Sequence, residues 1–229
     1  TEAKIESIKK SKGIATVSIE GCKPIKANKV LMAVGVTGNI NKIGINKLNI
    51  STDRGFICKN EYMQTNVDNV YAIGDVSGPP LLAHVASFEG VLAVEHISGY
   101  NVEPMSYENV PACTYCEPEI ASVGLTENQA RDAGYTIKVG TFPFSALGKA
   151  LADGNREGFV KIIYDKEYGE LLGCHIIGKN ATNLISEVAI ARKLETTYHE
   201  VLKTIHPHPT LSEAIQESTA QAFNEAIHL

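Results

Sequence analysis

The sequence predicts two structural parts, an α/β region followed by an α+β region built on an antiparallel sheet. In the first part, short apolar runs bounded by glycine lead into one long helix. In the second part, four strand-like runs are mixed with helical stretches, and the last two runs flank a glycine as in a hairpin. A loop of polar and turn-forming residues at 99–111 lies between them, and we expect the boundary there.

The first part opens on a predicted β-hairpin, made of alternating runs at residues 4–8 and 14–19 around a turn at 10–13. An apolar run at residues 29–35 then predicts a buried strand. A hairpin that feeds one buried strand cannot form a core alone. We therefore expect the tail of a domain whose start is missing, and the alternative is a hairpin that decorates the following domain.

Three further elements complete the first part. Residues 55–58 predict a short strand, and residues 69–75 predict an apolar strand that ends in Gly74 and Asp75. Residues 81–98 show the spacing of a helix that packs against a core.

The second part is predicted to hold four strands and three helices. Gly169 lies between the last two strands as a hairpin turn, and the strands are at residues 120–123, 137–142, 159–164 and 171–177. A short helix begins after Thr126 as its N-cap and ends at Gly134. Longer amphipathic helices are expected at residues 183–194 and 212–226.

Composition excludes several classes of protein. Hydrophobic residues make up 44% of the chain, which indicates a packed core and not a disordered segment. The 21 basic against 26 acidic side chains give a net charge of −5, which argues against a nucleic-acid partner. No apolar run reaches the roughly 18 residues that a membrane-spanning helix needs. The five cysteines are mostly isolated, so we expect a reducing, cytoplasmic location.

Asp75 is the first candidate site residue, because it follows a predicted buried strand. Ligands of open α/β sheets bind outside the carboxyl ends of the strands. A carboxylate there can accept two hydroxyl hydrogen bonds from a ribose or ribityl chain, and Gly74 permits close backbone approach. The helix that begins near Leu81 offers backbone N–H groups to an anion. The alternative is that Asp75 only caps the next segment.

The second candidate is the segment at residues 206–213, where two histidines each precede a proline. Both prolines hold the preceding backbone extended, and Glu213 lies five residues after His208 at the start of a helix. That carboxylate can accept from an imidazole nitrogen, which fixes the tautomer and stabilises the imidazolium of a general base. Two alternatives stay open: Glu213 closes a capping box that begins at Thr210, or His206 and His208 bind a metal.

Cys113 and Cys116 have the spacing of a redox centre or of half a zinc site. No second cysteine pair accompanies them, and they do not open a helix. We interpret them as two ordinary thiols and expect no metal site.

Taken together, these motifs resemble the pyridine nucleotide–disulfide oxidoreductases. The resemblance rests on the order and spacing of residues 69–76 (NVYAIGDV), 81–84 (LLAH), 123–127 (VGLTE) and 208–213 (HPTLSE). Residues 173–178 (GCHIIG) and 180–185 (NATNLI) are similar to the members that oxidise dihydrolipoamide. The resemblance covers essentially the whole chain but only the second half of the family's protein.

The resemblance implies a Rossmann-like FAD- and NAD-binding region followed by an α+β dimerisation domain. Residues 1–37 would be the tail of the NAD-binding domain, residues 38–110 the last part of the FAD-binding region, and residues 111–229 the dimerisation domain. Asp75 would hold the FAD ribityl chain, and Gly35 would contact NAD. The segment along the flavin would be Leu81, Leu82, Ala83 and His84.

The resemblance also implies that His208, paired with Glu213, takes a thiol proton from dihydrolipoamide in the partner subunit of a homodimer. The family's Gly-rich FAD motif and its two redox cysteines are absent, so we expect this chain alone to be inactive. The lipoyl group of a 2-oxo acid dehydrogenase complex would be the substrate and NAD+ the acceptor. The alternatives are a sister enzyme that reduces glutathione disulfide and a dimerisation module without catalysis.

Overall fold

The computed structural model describes residues 3–228, which form two compact units that divide between Tyr100 and Asn101. The first unit carries small antiparallel sheets and one long helix, and the second carries a five-stranded antiparallel sheet covered by helices. This arrangement confirms the predicted combination of α/β and α+β parts. None of the helices within residues 3–228 is long and apolar enough to cross a membrane.

The first unit opens on a three-stranded antiparallel sheet in the order β1-β2-β3. These strands are Ile5–Ser11, Ile14–Ile19 and Ile25–Ala27, so the predicted hairpin is confirmed. Its two-residue turn, Lys12 and Gly13, has positive φ at both positions, which matches the right-handed twist of the flanking strands.

Two predicted strands of the first unit are wrong. Residues 29–35 form no strand, and Leu31 is 90% exposed. An apolar run becomes a buried strand only beside partner strands, and none of the strands in residues 3–228 pairs with it. Residues 69–75 likewise form only a single bridge, between Gln64 and Tyr71, before a 3₁₀ turn at Gly74–Ser77.

The remaining elements of the first unit surround that turn. A short hairpin pairs β4 (Thr52–Asp53) with β5 (Phe56–Ile57), as expected for residues 55–58. Helix α1 spans Ala83–Ile97, which confirms the predicted helix within two residues. It buries Val85, Glu89, Leu92 and Ala93.

The second unit is built on one sheet in the order β6-β7-β10-β9-β8, in which every neighbouring pair is antiparallel. Its strands are Ala112–Thr114, Ile120–Gly124, Ile137–Pro143, Gly158–Asp165 and Leu171–Gly178. The four predicted strands and their antiparallel hairpin are confirmed, and β6 is additional. Gly169 lies in the hairpin turn with φ of 74°.

Within residues 101–228, five helices accompany this sheet, α2 to α6, at Glu127–Asp132, Gly148–Ala152, Ala181–Lys193, Tyr198–Lys203 and Glu213–Ala222. Thr126 and Gln129 form the capping box of α2, and the helix ends before Gly134 as predicted. Helices α4 and α6 cover one face of the sheet, where alternate β9 side chains such as Ile162 are buried. On the opposite face, Ile163 packs with Ala130 of α2.

Candidate functional site

The loop that precedes α6 presents one imidazole and buries another. Its His206 side chain is 3% exposed, whereas the His208 side chain two residues later is 75% exposed. The peptide bond between His208 and Pro209 is cis. His208 is therefore accessible to a substrate, and His206 is not.

Glu213, the first residue of α6, uses both carboxylate oxygens in this loop. Its Oε1 lies 2.7 Å from Nδ1 of His208, and its Oε2 accepts the backbone N–H of Thr210 at 2.8 Å. The two interpretations of Glu213, imidazole partner and helix cap, therefore coexist in one side chain. The capping box is only half formed, because α6 begins after Ser212 and the Thr210 hydroxyl donates to the Pro207 carbonyl at 2.7 Å.

The same contacts favour the ionised carboxylate of Glu213. Partial burial opposes ionisation, but the hydrogen bonds from Thr210 and His208 and the charge of His208 outweigh it, so the pKa of Glu213 is lowered. A carboxylate on Nδ1 requires that nitrogen to carry a proton. In the neutral imidazole, Nε2 is then left as the acceptor, which is the arrangement that a general base needs.

His206 has both ring nitrogens occupied. Its Nε2 lies 2.8 Å from Glu187 of α4, and its Nδ1 lies 3.2 Å from the Thr204 carbonyl oxygen. The hydrogen bond to Glu187 outweighs the opposing effect of burial, so the pKa of His206 is raised. Within residues 3–228, no group of three or more His, Cys, Asp or Glu side chains could hold a metal ion.

In the first unit, Asp75 lies a few residues before the beginning of α1. Asp75 lies in the 3₁₀ turn with an exposed carboxylate, and Leu82 is the N-cap of α1, which has no side-chain cap. Leu81 and Leu82 are half-buried, whereas Ala83 and His84 are exposed in the first turn of the helix. Backbone N–H groups at such an uncapped end attract negative charge.

Gly74 is left-handed at φ 67°, and a Cβ there would lie 3.1 Å from Cβ of Ala86. Gly35 has φ of 95° in an exposed coil, and a Cβ there would meet no described atom within 4 Å. The turn at Gly74 is thus closely packed, and the loop at Gly35 is open.

Cys113 and Cys116 are both free thiols. Burial and the nearby Glu119 raise the pKa of Cys113, which disfavours its thiolate. Cys116 Sγ lies 3.0 Å from the carbonyl oxygen of Pro118.

One pair of charged side chains in the first unit was not predicted from the sequence. Lys59 and Glu89 form an ion pair of 2.5 Å, and Glu89 also accepts the N–H of Gly74 at 2.6 Å. The available signal was an acidic residue, Glu89, between the apolar residues Phe88 and Val91 of the predicted helix.

Two family models match the chain. Residues 1–90 match the model described as "Pyridine nucleotide-disulphide oxidoreductase". Residues 110–219 match its "dimerisation domain". The chain belongs to the pyridine nucleotide-disulphide oxidoreductase family. The resemblance predicted from the motifs is thereby confirmed.

Curated relatives within this family are named dihydrolipoyl dehydrogenase. The chain is 51% identical to the protein of Zymomonas mobilis over 86% of its own length and 43% of the relative's. It is 46% identical to that of Rhizobium etli over 100% of its length and 48% of the relative's. It is 50% identical to that of Bacillus subtilis over 88% of its length and 43% of the relative's. The chain thus spans about half the length of the curated relatives that it matches.

Solved structures of other proteins share this fold. LpdA from Mycobacterium tuberculosis superposes with a TM-score of 0.85 at 27% identity, over 95% of this chain and 48% of that protein. A Cu(II) complex of the flavoprotein disulfide reductase RclA from Escherichia coli gives a TM-score of 0.85 at 23% identity, over 95% and 50%. The second likeness concerns the fold alone.

Proposed function

We propose that this chain is the C-terminal part of a dihydrolipoyl dehydrogenase, which oxidises dihydrolipoamide to lipoamide while NAD+ becomes NADH and a proton is released. The relatives at 46–51% identity carry that name, and the family models match both parts of the chain. The substrate would be the lipoyl group of a 2-oxo acid dehydrogenase complex. Because the chain spans about half of these relatives, it is proposed to need the rest of the enzyme for turnover.

The His208–Glu213 pair is the observation that carries this proposal. An exposed imidazole with Nδ1 bound to a carboxylate has Nε2 available to take a proton from a thiol of dihydrolipoamide. A thiolate is a far better nucleophile toward a disulfide than a thiol, so this proton transfer starts the exchange. Glu213 then stabilises the imidazolium until the proton leaves.

Asp75 and the beginning of α1 are proposed to hold FAD. The exposed Asp75 carboxylate fits the ribityl hydroxyls, and the uncapped helix end with Leu81, Leu82, Ala83 and His84 fits a ring that becomes negatively charged. When bound, FAD would supply the two-electron connection between the dithiol and NAD+. Gly35, in its open loop, is proposed to contact NAD.

The boundaries and the assembly are part of the same proposal. Residues 1–37 would close the NAD-binding domain, residues 38–110 the FAD-binding region, and residues 111–229 would form the dimerisation domain of a homodimer. His208 would then act in the partner's active site. A cytoplasmic location is proposed because the five cysteines are free.

The test replaces His208 by glutamine in the complete enzyme and measures NAD+-dependent oxidation of dihydrolipoamide. We expect kcat to fall by about 10²–10⁴ while bound FAD stays at one per subunit, since a general base contributes on that order. His206→Gln is the matched control, because that imidazole is buried and cannot reach a substrate. Wild-type turnover in His208→Gln would show that His208 is not the base.

Experiments on the same protein distinguish two alternative functions. A sister enzyme would turn over glutathione disulfide in preference to dihydrolipoamide. A dimerisation module would form a stable dimer that binds no FAD, and the polypeptide made by the source cell would have a mass near 24.7 kDa.

A further inference from the structure

The turn that carries Asp75 is tied to α1 by a buried ion pair. The side chain of Lys59 is 12% exposed and that of Glu89 is 2% exposed, and their charged atoms are 2.5 Å apart. Glu89 Oε2 accepts the backbone N–H of Gly74 at 2.6 Å. Lys59 Nζ donates to Oγ of Ser77 at 2.8 Å.

These contacts fix both ends of a four-residue turn. Gly74 begins the turn and Ser77 ends it, and the Ser77 hydroxyl also donates to the Gly74 carbonyl at 2.8 Å. Gly74 has a positive φ, and a glycine can also adopt other backbone conformations unless a hydrogen bond holds its N–H. Asp75 follows Gly74 directly, so it lies between the two residues that these contacts hold.

A buried ion pair is an expensive way to stabilise a fold, because desolvation of two charges offsets much of their attraction. Replacing a buried ion pair by apolar residues of similar volume is often neutral or stabilising. The charged pair adds a defined acceptor for one backbone N–H and a defined donor for one hydroxyl, and both belong to the turn. Geometry, and not packing, is what this pair supplies.

We propose that Glu89 and Lys59 are positioning residues for FAD: they set the Gly74–Ser77 turn so that Asp75 meets the ribityl hydroxyls. This inference rests on the proposed function, because it assumes that Asp75 binds the flavin. Neither Glu89 nor Lys59 contacts the flavin in it.

The experiment compares Lys59→Met, Glu89→Gln and the double variant in the complete enzyme stripped of FAD. The first measurement is the Kd of FAD from flavin fluorescence, and the second is amide hydrogen exchange of residues 70–80 without FAD. We expect each single variant to raise the Kd about tenfold or more and to accelerate exchange in the turn. The double variant, which removes both charges of the pair, should raise the Kd by less than the product of the single effects.

Leu92→Val is the matched control, because Leu92 is an uncharged residue buried on the same helix. It should lower Tm while the Kd of FAD and the exchange of residues 70–80 stay within twofold of wild type. A merely structural ion pair would behave like this control.

The outcomes separate the two levels of the proposal. A wild-type enzyme that binds no FAD would overturn the proposed function and this inference with it. Wild-type binding together with an FAD Kd within twofold in both single variants would overturn the inference alone. If the single variants do not fold, the double variant decides, and a Kd within twofold of wild type is again the refuting result.

Discussion

Replacing Glu213 with glutamine changes the tautomer of His208 while keeping the size of the side chain. The carboxylate serves two donors at once, Nδ1–H of His208 at 2.7 Å and the Thr210 N–H at 2.8 Å. A glutamine has one acceptor oxygen and one donor group. Because the Thr210 N–H can only donate, it keeps the oxygen, and the NH₂ group then faces Nδ1 of His208.

That reversal moves the imidazole proton to the wrong nitrogen. Nδ1 must now accept, so Nε2 carries the proton and cannot take another from a thiol. The loss should equal most of what a general base contributes, about 10²–10⁴ in kcat, or roughly 3–5 kcal/mol at 1.36 kcal/mol per tenfold change. The loop itself should persist, because the contact to Thr210 remains.

The assay is stopped-flow reduction of the flavin by dihydrolipoamide in the complete enzyme, with the FAD content measured in parallel. Glu217→Gln is the matched control, since Glu217 lies one turn farther along α6 and its Oε1 is 2.5 Å from Nδ1 of His228. The control should reduce flavin at the wild-type rate. If Glu213→Gln keeps more than about a tenth of the wild-type rate, Glu213 is a helix cap and the tautomer argument is refuted.

Two predictions concern stability. Gly140→Ala should lower the free energy of unfolding by about 3 kcal/mol in urea titrations, because a Cβ there would lie 2.8 Å from the carbonyl carbon of Ser218; an unchanged midpoint would show that α6 can retreat freely from β8. The His206–Glu187 pair raises the pKa of His206, so its contribution is complete below the unfolded value of about 6.5 and disappears as pH rises through the folded value. The stability difference between wild type and His206→Gln should therefore shrink from pH 5.5 to 9, and a difference that is independent of pH would contradict this.

The sequence predicted the second unit well because its signals are local. Strand β8 at Ile137–Pro143 extends one residue beyond its predicted end, and Thr126 and Gly134 mark the two ends of α2. Alternation, caps and a turn glycine sit within a few residues of the structure that they predict. Helix α5 was missed although Thr197 and Glu200 form its capping box, because six residues are too few for a visible periodicity.

The first unit was harder to predict from the sequence, because its elements depend on contacts between residues that are far apart in the chain. The apolar run at 29–35 has the composition of a strand, but its composition does not show whether a partner strand exists. Among residues 3–228, no strand pairs with it. The contact of Glu89 with Gly74 spans 15 positions, so it could not be predicted from spacing. The His208–Glu213 contact spans five positions across a rigid loop, and spacing was enough to propose it.

A histidine beside a carboxylate does not by itself mark a base, since residues 101–228 contain three such pairs. His206 is buried with both nitrogens occupied, which leaves no atom for a substrate. His208 and His228 are both exposed with Nδ1 on a carboxylate.

The second oxygen of the carboxylate separates the two exposed pairs. In Glu213 it is held by the Thr210 N–H, which fixes the carboxylate and hence the ring. In Glu217 that oxygen is buried and has no hydrogen-bond partner among residues 3–228. A base needs an orientation that is set before the substrate arrives, and such orientation comes from contacts behind the paired group. Of the two exposed pairs, we therefore propose His208 as the proton acceptor, and the contrast between Glu213→Gln and Glu217→Gln measures how much that anchoring contributes.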